Sequence, residues 1–114
     1  METGSREEII RLLRELSGRA PITTLGHCKP NFITRVDRDN AWVETEKSRR
    51  EKTGPQPVPL DWIVDSYETL RKQGSLSRAD LGPKASKRSA FIFALLAQLP
   101  HVDTSTNPIG LRIF

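Results

Sequence analysis

Apolar residues near the start of the chain recur at helical spacing. Ile9, Ile10, Leu12, Leu13 and Leu16 share one side of a helical repeat, and Gly18 follows as a stop. Ser5 with Glu8 three residues on makes a capping-box pattern, so the spacing predicts an amphipathic helix over residues 6–17. The period then shortens to two. Residues 22–25, bounded by Pro21 and Gly26, read as a first short strand. Residues 31–36 read as a second, with Phe32, Thr34 and Val36 on one face and Ile33 and Arg35 on the other. Asp37, Arg38, Asp39 and Asn40 supply hairpin-turn chemistry. Residues 41–47 form the third strand, with Val43 and Thr45 opposite Trp42, Glu44 and Glu46. A meander is the economical arrangement.

Helical spacing returns after a polar, basic stretch at 48–56, which reads as an exposed loop. Pro57-Val58-Pro59 is extended and leads into a helix over about 60–73, with Leu60, Ile63, Val64, Tyr67 and Leu70 on its apolar face. Gly74 ends it, and Ser77 with Asp80 marks a capped turn at 78–81. A third helix is expected over 87–99, before Pro100. Its residues 91–97 are apolar all round, so it should be the most buried element. Residues 104–114 either add an edge strand at 109–114 or stay loose. The fold class is α+β: a small three-stranded antiparallel meander packed against about three helices. One domain over 5–103 follows a disordered stretch at 1–4.

Composition narrows the class. The 114 residues allow one hydrophobic core, and 36% hydrophobic with 28% charged residues describes a soluble globular domain. The longest apolar stretch, 90–97, is far too short to cross a bilayer, and residues 1–4 lack signal-peptide order. A cytoplasmic location without membrane contact is expected. One cysteine, Cys28, excludes an internal disulfide and argues against a cysteine-based metal site.

The net charge of +4 is modest but unevenly spread. Residues 29–56 carry +2, 57–70 carry −3 and 71–88 carry +5. A local excess of this kind is an electrostatic footprint.

Catalytic signatures are missing. Of the two histidines, His27 has no carboxylate near it in sequence and His101 has only Asp103, with no catalytic motif around either. His27 beside Cys28 suggests a thiol–imidazole pair only until strand geometry points neighbours to opposite faces. No glycine-rich phosphate loop and no metal-ligand spacing occurs. The acids occupy a turn (Asp37, Asp39) or a polar helix face (Asp61, Asp65, Glu68). The expectation is a non-enzymatic binding module without cofactor or metal.

Two basic clusters are the candidate site. The first holds Lys47, Ser48, Arg49, Arg50, Lys52 and Thr53. Cations on a flexible loop can reach phosphates and hydroxyls can donate to them, although Glu46 and Glu51 equally suit a solvated loop. The second holds Lys84, Ser86, Lys87, Arg88 and Ser89 at the start of the buried helix, with Arg78 nearby. Cations at a helix N-terminus oppose the helix dipole, a conflict that a bound anion would relieve. Ser86 or Ser89 could instead serve simply as a cap. Trp42 is either a base-stacking platform beside the first cluster or a cover for one end of the core.

The order of motifs resembles a known family. It runs Ile22-Thr23-Thr24-Leu25, Asn31-Phe32-Ile33-Thr34-Arg35-Val36-Asp37, Trp42-Val43-Glu44-Thr45-Glu46-Lys47-Ser48 and Val58-Pro59-Leu60-Asp61-Trp62. It continues through Gly74-Ser75-Leu76-Ser77-Arg78-Ala79-Asp80-Leu81 and Arg88-Ser89-Ala90-Phe91 to Ala94-Leu95-Leu96-Ala97-Gln98-Leu99-Pro100. Across 5–102 this resembles the N-terminal head domain of McrA-like, modification-dependent (type IV) restriction endonucleases. The resemblance implies a domain that reads double-stranded DNA, with cleavage by a separate downstream HNH nuclease domain. Such enzymes recognise modified DNA, commonly 5-methylcytosine and sometimes phosphorothioate linkages. The alternative is a protein–protein or interdomain module that uses the acidic face around Trp62.

Overall fold

The computed structural model describes residues 4–19, 21–26, 28–106 and 109–113. The thiol–imidazole pairing cannot be followed to His27, which lies outside them, as do residues 1–3. Helix α1 (Ser5–Leu16) begins one residue earlier than its pattern suggests. The Gly4 amide at its start donates to Glu7 Oε2 at 3.0 Å. Ser5 and Glu8, the expected capping pair, turn toward the protein body instead, where Ser5 is buried and Glu8 accepts from Tyr67.

Strands β1 (Ile22–Thr23), β2 (Pro30–Val36), β3 (Asn40–Thr45) and β4 (Gln56–Pro59) form an antiparallel sheet in that order. The expected meander thus has a fourth strand, the segment Pro57-Val58-Pro59. Two prolines are tolerated there because β4 is an edge and needs no outward amide. A bulge at Thr34 places two β2 residues against one on β3, so Ile33 faces Val43 while Arg35 faces Trp42. The simple alternation predicted for β2 therefore breaks. Ile33 is buried, whereas Phe32 looks outward across from Glu44.

The loop expected after β3 is also ordered. Helix α2 (Glu46–Glu51) starts at Thr45, whose Oγ1 accepts from the Ser48 amide at 3.1 Å while Ser48 Oγ accepts from the Thr45 amide at 2.8 Å. Lys52, at φ 57°, closes the helix in the left-handed region. A charged helix this short has no apolar stripe for a periodicity argument to find.

Helix α3 (Leu60–Gln73) matches its pattern, and Gly74 at φ 81° permits the turn that ends it. Strand β5 (Ser75–Ser77) follows, then two short 3₁₀ turns, Arg78–Asp80 and Ala85–Arg88. Helix α4 (Ser89–Leu96) is shorter at both ends than the expected 87–99. Residues 109–113, expected as an edge strand or loose, form an inner strand instead. Strands β6 (Val102–Thr106) and β7 (Ile109–Ile113) form a hairpin, and β7 sits centrally in a second sheet ordered β5-β7-β6. The protein is α+β, with two antiparallel sheets where one was expected.

One core joins these elements. Ile33, Ala41, Val43 and Val58 of the first sheet, Ile9 and Leu13 of α1, and Leu60, Ile63 and Leu70 of α3 are buried together with every residue from Phe91 to Leu96. Leu76, Val102 and Leu111 extend the core under the second sheet. No helix among the described residues is long and apolar enough to cross a membrane.

One polar group lies deep in this packing. Tyr67 is 1% exposed, and its hydroxyl donates to Glu8 Oε2 at 2.6 Å and lies 3.2 Å from His101 Nε2. Arg71 pairs with Glu8 at 3.8 Å and donates to Ser5 Oγ at 3.2 Å. These contacts tie α1 to α3 and to the turn before β6. Burial and the adjacent Glu8 carboxylate push the phenol from its ordinary 10.0 up to about 12. A raised pKa favours the neutral form in the folded state. Its stabilisation is complete below pH 10 and is lost as pH climbs toward 12. Tyr67 is the chain's one tyrosine, so ultraviolet titration of the native protein reads it alone. It should ionise near 12 or together with alkaline unfolding; ionisation at 10.0 in folded protein would contradict the network.

Candidate nucleic-acid interface

The first basic cluster rides on α2. Because Thr45 pairs with Asn31 and Thr23 with Pro30, α2 and the turn joining β1 to β2 leave the sheet at one end. Lys47, Arg50 and Lys52 are exposed there, with no carboxylate in ion-pair range among the described residues. Arg49 differs: it pairs with Glu44 at 3.6 Å and its guanidinium lies 3.5 Å over the ring of Phe32. Ser48 is buried, and its hydroxyl donates to Thr45 O at 3.0 Å, so the fold uses it as a cap. Thr53 Oγ1 likewise donates to Ser48 O at 3.4 Å.

The second cluster occupies the 3₁₀ turn that runs into α4. Arg88 is the residue before the first turn of α4, no side chain caps that end, and no acid lies in its first turn. Lys84 and Lys87 are exposed and Arg88 is partly so, again without ion pairs among the described residues. Ser86 donates its hydroxyl to Pro83 O at 2.9 Å. Ser89 is buried and lines a cavity of about 240 Å³ with Thr24, Leu25, Gly26, Arg78 and Phe93. Thr24, Leu25 and Gly26 belong to the turn after β1. The start of α4 therefore meets the end of the sheet from which α2 also leaves.

Trp42 lies on the outer face of the sheet, as its strand position implied, and is half-buried. Its Nε1 donates to Asp37 Oδ2 at 2.6 Å, and Arg35 lies 4.6 Å over its ring. Asp37 Oδ1 also accepts from the amides of Asp39 and Asn40, which fixes the β2–β3 turn. The Trp42 hydrogen bond, helped by these amides, holds the Asp37 carboxyl below the ordinary carboxylate range.

Sequence reasoning placed Glu44 on the face of Trp42 but missed Phe32 and Arg35 as its neighbours. Only the strand register, with its bulge, brings them together, and no motif announces a bulge. The acidic stretch forms a groove of about 490 Å³ between α3 and residues 80–85, lined by Asp61, Trp62, Asp65 and Leu81 and bordered by Lys84 of the second cluster. No group of three or more histidine, cysteine or acidic side chains able to hold a metal occurs among the described residues. No family model, curated protein or solved structure matches the chain.

Proposed function

We propose that the chain is a non-catalytic domain that binds double-stranded DNA through the sheet end where α2, the β1–β2 turn and the start of α4 meet. The observation that carries this reading is charge left unneutralised. Of the predicted cations, only Arg49 has a carboxylate partner, while Lys47, Arg50, Lys52, Arg78, Lys84, Lys87 and Arg88 have none among the described residues. Self-repulsion at such a surface is relieved by a polyanion, and each phosphate contact releases a counterion. The resemblance to McrA-like head domains agrees. It extends the proposal to modified DNA, 5-methylcytosine or phosphorothioate, read in the cytoplasm for a downstream nuclease domain.

Fluorescence anisotropy with unmodified, methylated and phosphorothioate duplexes tests both levels. Micromolar or tighter binding at low salt supports DNA binding, and preference for one duplex supports modification reading. If none of the three binds at low salt, the proposal fails. The groove around Trp62 favours a second role. With Asp61, Asp65 and Asp80 against Lys84 in its lining, it carries an acidic excess and suits a basic segment of a partner or neighbouring domain.

A further inference from the structure

One face of the four-stranded sheet packs on the helices through Ile22, Ile33, Ala41, Val43 and Val58. The other carries Phe32 and Trp42 on neighbouring strands, both half-buried. Phe32 lies across from Glu44, and Trp42 is two residues along β3. That is a diagonal relation, typically about 7–8 Å between backbone positions.

Each ring has a guanidinium on its face. Arg49 lies 3.5 Å over Phe32 and Arg35 lies 4.6 Å over Trp42. The stacked cations show that flat groups can reach both rings from solvent. Their ion pairs, Arg49 to Glu44 at 3.6 Å and Arg35 to Asp37 at 3.9 Å, are solvent-screened and weak, with the arginine side chains 49% and 63% exposed. A guanidinium and a nucleobase are both planar and both stack on aromatic faces. A base can therefore take the place of either arginine, which then remains close enough to meet the phosphate of the same nucleotide. The hydrogen bond from Trp42 Nε1 to Asp37 fixes the indole in this orientation beforehand.

We propose that the open face of the four-stranded sheet is a stacking platform for two unpaired bases of one nucleic-acid strand, Phe32 taking one and Trp42 the other. The proposal rests on the nucleic-acid-binding reading and adds that the strand is locally unpaired where it crosses the sheet. Lys47 and Arg50, on the helix that carries Arg49, supply backbone contacts alongside.

The test uses Trp62→Phe protein, in which Trp42 is the remaining tryptophan of the two. Its emission is followed during titration with an oligothymidylate of about ten nucleotides, and with an abasic strand of the same length. Quenching by the thymidylate that tracks anisotropy, and weaker binding of the abasic strand, are expected. Phe32→Ala and Trp42→Ala should each weaken thymidylate binding by about 5- to 150-fold and leave abasic binding nearly unchanged. Circular dichroism on each variant checks that the half-exposed positions tolerate the change. Equal binding of the two strands with Trp42 unquenched overturns the platform and leaves duplex binding standing. Failure of every strand and every duplex to bind overturns both.

Discussion

Replacing Lys87 and Arg88 together by alanine should weaken duplex binding about sixty-fold at 0.1 M salt, because each phosphate contact is worth about 0.9 of a decade there. The slope of log K against log salt should become shallower by about 1.8 over the same titration. Stability should move the other way. Arg88 stands at the N-terminal end of α4 and Lys87 in the turn just before it, where no acid or side-chain cap offsets the helix dipole. Cations at such an end cost about 0.3–1 kcal/mol each, so the double variant should melt slightly higher. A weaker binder that is a more stable protein is the signature of charge retained for a ligand. Unchanged affinity in the variant would remove the second cluster from the interface.

Phe93→Ala should be the most damaging single change to the fold. The side chain is 1% exposed in the middle of α4, where every residue from Phe91 to Leu96 is buried in the one core that lies under both sheets. Truncating a fully buried phenylalanine costs about 3–5 kcal/mol, the lost transfer energy plus the space left behind. Small domains hold only about 5–15 kcal/mol in total, so the variant should be partly unfolded at room temperature or close to it. Urea denaturation reads this directly as a lower midpoint at similar slope. A loss below about 1 kcal/mol would mean that α4 is not the centre of the core.

The elements with a clean apolar period were legible before the structure was known. The α3 stripe from Leu60 to Leu70 and the all-round apolar run in α4 predicted both helices and their burial. Where something other than an apolar period decides, the pattern misled. Helix α2 depends on the reciprocal Thr45–Ser48 cap rather than on periodicity, and the β2 bulge at Thr34 reverses which residues face the core. The β6–β7 hairpin was hidden because Val102 and Leu111 gain their value only by covering Leu76 from afar.

The candidate site divides the same way. Charge is local, so both basic clusters could be marked from sequence alone. The pairing of Thr45 with Asn31 and of Thr23 with Pro30 sets α2 and the β1–β2 turn at one end of the sheet, and the cavity shared by Thr24, Leu25, Gly26 and Ser89 brings the start of α4 to that turn. Ser48 illustrates the opposite risk: a hydroxyl in a basic stretch looked ready for phosphate, yet its bonds close a helix cap.

The most direct measurement is the salt dependence of duplex binding by the unaltered chain, from low salt to about 0.2 M. Unneutralised cations engaging phosphates predict a linear log–log plot with a slope of about −3 to −6. A slope near zero, or no binding at the lowest salt, would contradict a phosphate-binding role for the sheet end from which α2 leaves and where the start of α4 packs on the β1–β2 turn.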